Sequence, residues 1–88
     1  MSNYNITFTY STFRDYQYWQ LQDRKLMKKI NSLIKSIQRE GILDGEGKPE
    51  LLIGNLKGDC SRRINHEHRL VYTIIDNHII IISCRYHY

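Results

Sequence analysis

Ile6, Phe8 and Tyr10 alternate with polar residues, a period of two that predicts a first strand. Thr9 or Ser11 can cap the next helix, whose inner side is expected to carry Phe13, Tyr16, Gln20 and Leu21. Asp23 is a second cap. The helix it opens is expected to run to about Arg39 and to stop at Gly41. At about 100° per residue, Leu26, Met27, Ile30, Leu33, Ile34 and Ile37 fall within one arc of about 120°. Lys25, Lys28, Lys29, Lys35 and Arg39 fall within the opposite arc. The loop GILDGEGKPEL follows, and the period then returns to two. Arg63 to Asn65, Arg69 to Ile75 and Ile79 to Tyr86 read as three consecutive antiparallel strands. Turns are expected at His66-Glu67-His68 and Asp76-Asn77-His78.

If both turns are three residues long, alternation sorts the sheet into two faces. Leu70, Tyr72, Ile74, Ile80, Ile82 and Cys84 would lie under the helices. Arg63, Arg69, Val71, Thr73, Ser83, Arg85 and His87 would lie on the other face. The expected fold class is therefore α+β, in the order β-α-α-β-β-β: an antiparallel sheet with both N-terminal helices packed on one face, leaving a basic, helix-free surface.

Length changes this picture by limiting it. The 88 residues make one expected domain, 1–88. A chain this short buries only about 60–65% of its unfolded surface, which excludes a large cofactor cavity. The N-terminus MSNYNITFTYSTF has no basic start followed by an apolar run, so no signal peptide is expected. The longest unbroken aliphatic run, Ile79 to Ile82, is far short of a membrane span. Cys60 and Cys84 show no C-x-x-C spacing and are expected to be reduced thiols in a cytoplasmic protein. Cys84 and His87 have ligand-like spacing, but no second pair matches them, so neither a metal nor another cofactor is expected.

Charge adds a direction. Thirteen basic against nine acidic residues give a net +4. A basic helix arc can simply be a solvated face. No acidic residue lies between Arg24 and Arg39, however, and a merely solvated helix usually mixes signs. A phosphate-facing stripe is the reading this favours. Tyr18 and Trp19 fall outside the first helix's inner side, either to meet a partner or to close the seam between the helices.

Candidate chemistry narrows by elimination. The chain has no G-x-S-x-G, no P-loop, no G-x-G-x-x-G and no carboxylate cluster suited to magnesium. RNA brings its own nucleophile, the ribose 2′-hydroxyl. Its cleavage needs only a base for that hydroxyl, a cation for the phosphorane and an acid for the leaving 5′-oxygen. Glu50 in GKPEL, stiffened by Pro49, is a candidate carboxylate. Arg62, Arg63 and Arg69 in SRRINHEHRLVY carry guanidinium forks suited to phosphate. His87 in the terminal CRYHY titrates near neutrality. Each also has a plainer explanation: a solvated loop charge, surface ion pairs or simple phosphate binders, and a frayed tail.

The stretches DYQYW, KKINSLIKSI, GEGKPEL, SRRINHEHRLVY and RYHY cover nearly the whole chain. In this order they resemble the YoeB family of bacterial toxins, within the RelE-like superfamily. The resemblance implies a ribosome-dependent endonuclease that cuts messenger RNA in the A site, silenced by a YefM-type antitoxin. It implies Glu50 as general base, Arg69 as transition-state cation and His87 as general acid. Arg63 would sit by the scissile phosphate, and Tyr88 would help position the nucleotide. Arg62 and Lys48 join the expected phosphate-binding set, and Lys25, Lys28, Lys29 and Lys35 would dock on ribosomal RNA. The implied partners are antitoxin, ribosome and messenger RNA, with homodimerisation left open and no membrane.

The sequence departs from the family pattern at two places. Ile53 stands where a lysine is common, a contact that Lys48 or Lys57 would have to replace. Cys60, preceded by Asp59, stands where an aromatic residue is common. A basic toxin of the same fold that binds a protein target such as gyrase without cutting RNA is the alternative. A catalytically silent RNA-binding module is a third reading.

Overall fold

The computed structural model describes residues 4–54 and 58–86. The elements run β1 (Asn5–Phe8), α1 (Tyr10–Gln22), α2 (Arg24–Glu40), β2 (Glu50–Leu51), β3 (Cys60–Arg63), β4 (Arg69–Ile75) and β5 (His78–Ser83). The strands form one sheet in the order β1-β5-β4-β3-β2. β2 through β5 are antiparallel neighbours, and β1 lies parallel to β5 at the far edge. The α+β class therefore holds, with a mixed sheet in place of a wholly antiparallel one. β2 is an added strand in the loop before β3. Among the described residues no helix is long and apolar enough to cross a membrane.

α2 follows its periodicity closely. Asp23 caps it through a bond from the Leu26 amide, and Gly41 ends it. All six residues of its apolar arc are buried in the core with Leu70, Tyr72, Ile79 and Ile81 of the sheet. α1 does not follow its periodicity. Thr9 is the cap, but Tyr10 begins the helix and does not end the strand. Thr12 and Trp19 are the buried residues, whereas Leu21 is 85% exposed and Phe13 is also exposed. The reason lies in hydrogen bonding. The Thr12 hydroxyl donates to the Ile82 carbonyl at 2.6 Å, and Trp19 Nε1 donates to the Cys84 carbonyl at 3.0 Å. α1 thus turns a polar-tipped stripe inward because the end of β5 offers it unpaired carbonyls.

The β4–β5 register is irregular near this end of the strand. Ile75 pairs with His78, so the turn has two residues, Asp76 and Asn77, not three. This flips the parity of β5 relative to the expected one. Ile79 and Ile81 enter the core, while Ile80 and Ile82 do not. Val71 then pairs with Ser83 and Tyr72 with Ile81, leaving Ile82 as the extra residue of a bulge. The bulge restores the original parity, which is why Cys84 is buried as expected. The β3–β4 connection is longer than expected. Arg63 pairs with Arg69, and Asn65 Oδ1 accepts from the amides of Glu67 and His68. His68 is buried rather than placed at a turn tip.

Arg62 is the largest fully buried side chain. Its Nε donates to the Tyr72 hydroxyl at 3.0 Å, and Nη1 donates to Ser36 Oγ at 3.0 Å and the Glu46 carbonyl at 2.9 Å. Nη2 donates to the carbonyls of Gly41, Ile42 and Asp44 at 2.8, 3.2 and 2.7 Å. Arg62 is therefore no phosphate ligand; its fork is saturated by protein oxygens. The carbonyls after α2 are negative partial charges, which suit a buried cation. The loop over Arg62 is also tied to α2 from outside. Glu46 accepts from Lys29 Nζ and from the Ser32 hydroxyl, both at 2.6 Å. These bonds hold the Glu46 carboxyl below its ordinary range, Lys29 being the main cause. Gly47 (φ +87°) completes the loop, since a Cβ there would come within 2.6 Å of the Leu33 side chain.

Two outcomes follow for stability. Arg62→Ala leaves several buried acceptors unpaired and should cost at least about 3 kcal/mol. A thermal melt should fall by more than about 10 °C, and Arg62→Lys, which lacks the planar fork, should not restore it. A melt unchanged from wild type would refute the role. Glu46→Gln should cost under about 1 kcal/mol at neutral pH, because the Lys29–Glu46 pair is partly solvated. The Glu46 pKa is depressed in the fold, so its contribution is present above the unfolded value of about 4.3 and is lost as pH falls through the folded one. The melting gap between wild type and variant should close in that acid range; a gap constant with pH would contradict the assignment.

Candidate active site

The sheet face away from the helices carries a row of cross-strand partners. Glu50 of β2 pairs with Ser61 of β3, Ser61 with Val71 of β4, and Val71 with Ser83 of β5. Partners in register share a face, so these four side chains lie side by side. One step along, Arg63 pairs directly with Arg69 on the same face. Two guanidinium groups opposed in this way repel each other. One is compensated: Arg69 Nη1 lies 3.3 Å from Glu50 Oε1 and 3.4 Å from Ser61 Oγ. Arg63 is exposed. The cluster thus holds two guanidinium groups and one carboxylate, an excess of positive charge facing solvent where an anion can enter.

The backbone fixes Glu50 from both sides. The Arg63 amide donates to the Gly47 carbonyl at 2.7 Å, and the Leu52 amide donates to the Asp59 carbonyl at 3.0 Å. Between these straps Lys48 adopts φ +51°, a conformation that non-glycine residues rarely take. Lys48 and Arg63 line one shallow cavity of about 390 Å³, with Lys29, Asn65 and His66. A second cavity of about 310 Å³ shares Lys29, Ile64 and Asn65 with the first and extends to Lys25. A basic groove thus runs from the start of α2 to the Arg63–Arg69 pair. Lys28, Lys35 and Arg39 line a third hollow with Asn31 and Ser32. Lys29 stands apart from the expected stripe, since its ammonium is committed to Glu46.

The C-terminal segment is brought to the same place. Tyr86 donates its amide to His68 Nδ1 at 2.7 Å and accepts the Arg69 amide on its carbonyl at 3.2 Å. Arg85, expected on the open face, instead folds against α1. Its guanidinium lies 4.1 Å over the Tyr18 ring and 3.5 Å from Asp15. Trp19 is buried in the core cluster that includes Leu26 and Met27 of α2, grips the Cys84 carbonyl and packs edge-on against His68 at 4.8 Å. His87 and Tyr88 lie outside the described residues, as does Lys57. The structure therefore unites Glu50, Arg63, Arg69 and Lys48 in one region and assigns Arg62 to the interior. Sequence reasoning missed His68 and Ser61. His68 sits in a polar run that reads as a turn, and only the aromatic residues around it in space reveal its burial.

The departures from the family pattern also acquire a position. Ile53 is fully exposed, so the side chain there meets only solvent. Cys60 pairs with Tyr72 on the helix-covered face and is buried, so it offers no stacking surface. Burial raises the Cys60 thiol above its ordinary value and pushes Cys84 up to about 12, and both cysteines are free. Neither is a reactive thiolate at neutral pH.

Comparison with known proteins agrees with this architecture. Residues 8–88 match the model of the YoeB-like toxin of bacterial type II toxin–antitoxin systems. Toxin YoeB of Synechocystis sp. is 58% identical over 83 residues, covering 94% of this chain and 95% of that protein. The YoeB dimer from Staphylococcus aureus superimposes with a TM-score of 0.92 at 62% identity, covering 99% of this chain and all of the other. A YoeB–YefM complex from the same organism gives 0.88 at 61% identity, with the same coverage. On sequence and on fold, the chain belongs to the YoeB-like family of type II toxins.

Proposed function

We propose that this toxin is an endoribonuclease that cleaves messenger RNA in the ribosomal A site without a metal. The observation that carries this reading is the Glu50–Arg69–Arg63 constellation on an open, basic sheet face. Its residue types match the needs of 2′-hydroxyl attack. Glu50 takes the proton from the 2′-hydroxyl as that oxygen attacks the adjacent phosphorus. Arg69 and Arg63 bind the non-bridging oxygens as charge accumulates. His87 protonates the departing 5′-oxygen, leaving a 2′,3′-cyclic phosphate. In the free toxin Arg69 is shared with Glu50. An arriving phosphate competes for that guanidinium and releases the carboxylate to act as base. Tyr88 positions the nucleotide, and Lys48 supplies a further cation beside Arg63.

Lys25, Lys28 and Lys35 are the side chains this reading assigns to ribosomal RNA, with Lys29 contributing through its place in the groove. The ribosome would supply part of the substrate alignment, a large term when reacting groups must be held together. The cytoplasm is where such a target is met. A YefM-type antitoxin is the partner expected to silence the toxin. Self-association into a dimer is expected as well, following the homologous complex and dimer from Staphylococcus aureus.

Primer extension on messenger RNA after brief induction tests the activity. Codon-phased breaks that disappear when ribosomes are removed are expected. Intact message accompanied by inhibited supercoiling would favour a gyrase-directed toxin and overturn this one. On programmed ribosomes Glu50→Gln, Arg69→Ala and His87→Gln should each slow cleavage by about 10²–10⁴. A Glu50→Gln variant as fast as wild type would remove Glu50 as the base.

A further inference from the structure

The cavity of about 390 Å³ beside Arg63 has a lining that a merely basic surface would not need. Lys48, Arg63, Asn65 and His66 line it, together with Lys29. Lys29 brings little net charge, because Glu46 Oε2 holds its ammonium at 2.6 Å. Among the described residues Lys48 and Arg63 have no carboxylate within ion-pair distance. Asn65 is set as a donor. Its Oδ1 accepts the amides of Glu67 and His68 at 2.8 and 2.7 Å. Only an oxygen can meet two N–H groups, so the Nδ2 hydrogens are the part of this side chain left for a ligand. His66 is exposed and presents a ring N–H in either charge state. The cavity therefore joins two uncompensated cations to two further donors, a set suited to the oxygens of a phosphodiester.

Its position says which phosphodiester. Arg63 lines the cavity and also faces Arg69 across the β3–β4 pair. Such partners lie about 4.5–5.5 Å apart at Cα, so the cavity begins within a side-chain length of the guanidinium that Glu50 shares. On the other side of the arginine pair, Glu50, Ser61, Val71 and Ser83 form a row without a cation. A strand with one phosphate on Arg69 therefore finds its next favourable contact in the cavity. We propose that the cavity lined by Lys48, Arg63, Asn65 and His66 is a binding subsite for the messenger phosphate next to the scissile one. This rests on the nuclease reading in naming one phosphate as scissile. The binding of an RNA phosphate in the cavity does not depend on that reading. Asn65 and His66 thereby become substrate contacts that act on affinity and not on the chemical step. A phosphate of ribosomal RNA would satisfy the same donors, and the test separates the two sources.

Two variants isolate the subsite. Asn65→Asp keeps the oxygen that the Glu67 and His68 amides use and replaces the Nδ2 donors by a charge that repels phosphate. His66→Ala removes the other donor from an exposed position. Binding of the full-length toxin is measured to ribosomes programmed with a messenger whose A-site codon is 2′-deoxy and so cannot be cut. A series of such messengers carries one uncharged methylphosphonate each, at successive linkages in and beside the codon. On the unsubstituted messenger Asn65→Asp should weaken binding by about five- to twentyfold and His66→Ala by about two- to fivefold, with melting behaviour unchanged. Both losses should shrink to less than about twofold when the methylphosphonate occupies one linkage, a neighbour of the cleaved linkage mapped by primer extension on all-ribose messenger. In cleavage of that all-ribose messenger, Asn65→Asp should raise KM while kcat stays within about twofold of wild type. Binding of Asn65→Asp as tight as wild type would overturn the subsite. Losses that persist with every methylphosphonate would place the contact on ribosomal RNA and overturn the messenger assignment. A coupled linkage remote from the cleaved one would overturn the neighbouring position. A wild-type protein that cuts no message would end the nuclease reading, while losses coupled to a single linkage would still establish the cavity as a messenger-binding site.

Discussion

The guanidinium of Arg62 is the fixed point of this molecule. It is a full positive charge in the interior, and among the described residues it faces no carboxylate at hydrogen-bonding distance. Four backbone carbonyls and two hydroxyls surround it instead. Such a site is tolerable only because every donor is used, on the carbonyls of the C-cap Gly41 and of the loop that follows α2 and on two hydroxyls. The consequence is geometric. Residues 41–46 have no regular secondary structure of their own, and Arg62 gathers them over the end of the helix. The loop then delivers Lys48, Pro49 and Glu50 to the edge of β3. A flexible, glycine-rich connection thereby becomes a rigid mount for the carboxylate.

Arg63 is the neighbour of Arg62 and does the opposite. In a strand successive side chains point to opposite faces, so the pair RR places one cation inside and one outside. The outer one meets Arg69 across the β3–β4 pair. Each sheet interaction that stabilises this region therefore also presents positive charge. Arg69 extends the economy further. Its backbone amide receives the C-terminal segment at Tyr86, and its side chain reaches Glu50. Groups from β2, β3 and β4 and the backbone of Tyr86 converge within a few side-chain lengths, although they are far apart in sequence.

The legible parts of this fold were those governed by one dominant force. α2 has a sharply divided surface, and burial of its apolar arc follows from the hydrophobic effect alone. The open-face placement of Arg63 and Arg69 was likewise readable from alternation. The unreadable parts were decided by competition between small terms. A two-residue turn at Asp76–Asn77 inverted β5, and a bulge at Ile82 inverted it back, so that Ile80 and Ile82 were misplaced and Cys84 was not. α1 chose the face carrying Thr12 and Trp19 over the one carrying Leu21, because the polar tips of Thr12 and Trp19 reach the Ile82 and Cys84 carbonyls. Arg62 and Arg63 are identical residues in a run, and only the parity of β3, itself set by a pairing with Tyr72, separates a buried staple from a surface cation. Of the candidate site, Glu50, Arg63, Arg69 and Lys48 come together, whereas the burial of His68 is visible only in three dimensions.

Local rules fail in this protein near the proposed chemistry more than elsewhere. Among the described residues, three other than glycine have positive φ: Lys48, Asp76 and Tyr86. Asp76 lies in a hairpin turn, where its short polar side chain makes that conformation inexpensive. Lys48 and Tyr86 have no such excuse. One lies two residues before Glu50 and the other one residue before His87, and the like-charged Arg63–Arg69 pair lies between these two segments in the sheet. Strained backbone and opposed cations cost stability of order 1 kcal/mol or more each, and they persist only where the surrounding structure over-determines them. Here the over-determination is visible atom by atom: Gly47 and Arg63 strap the first segment, and His68 and Arg69 strap the second. A fold selected for stability alone would relax both. Keeping both is in line with the proposed use of this region for RNA cleavage.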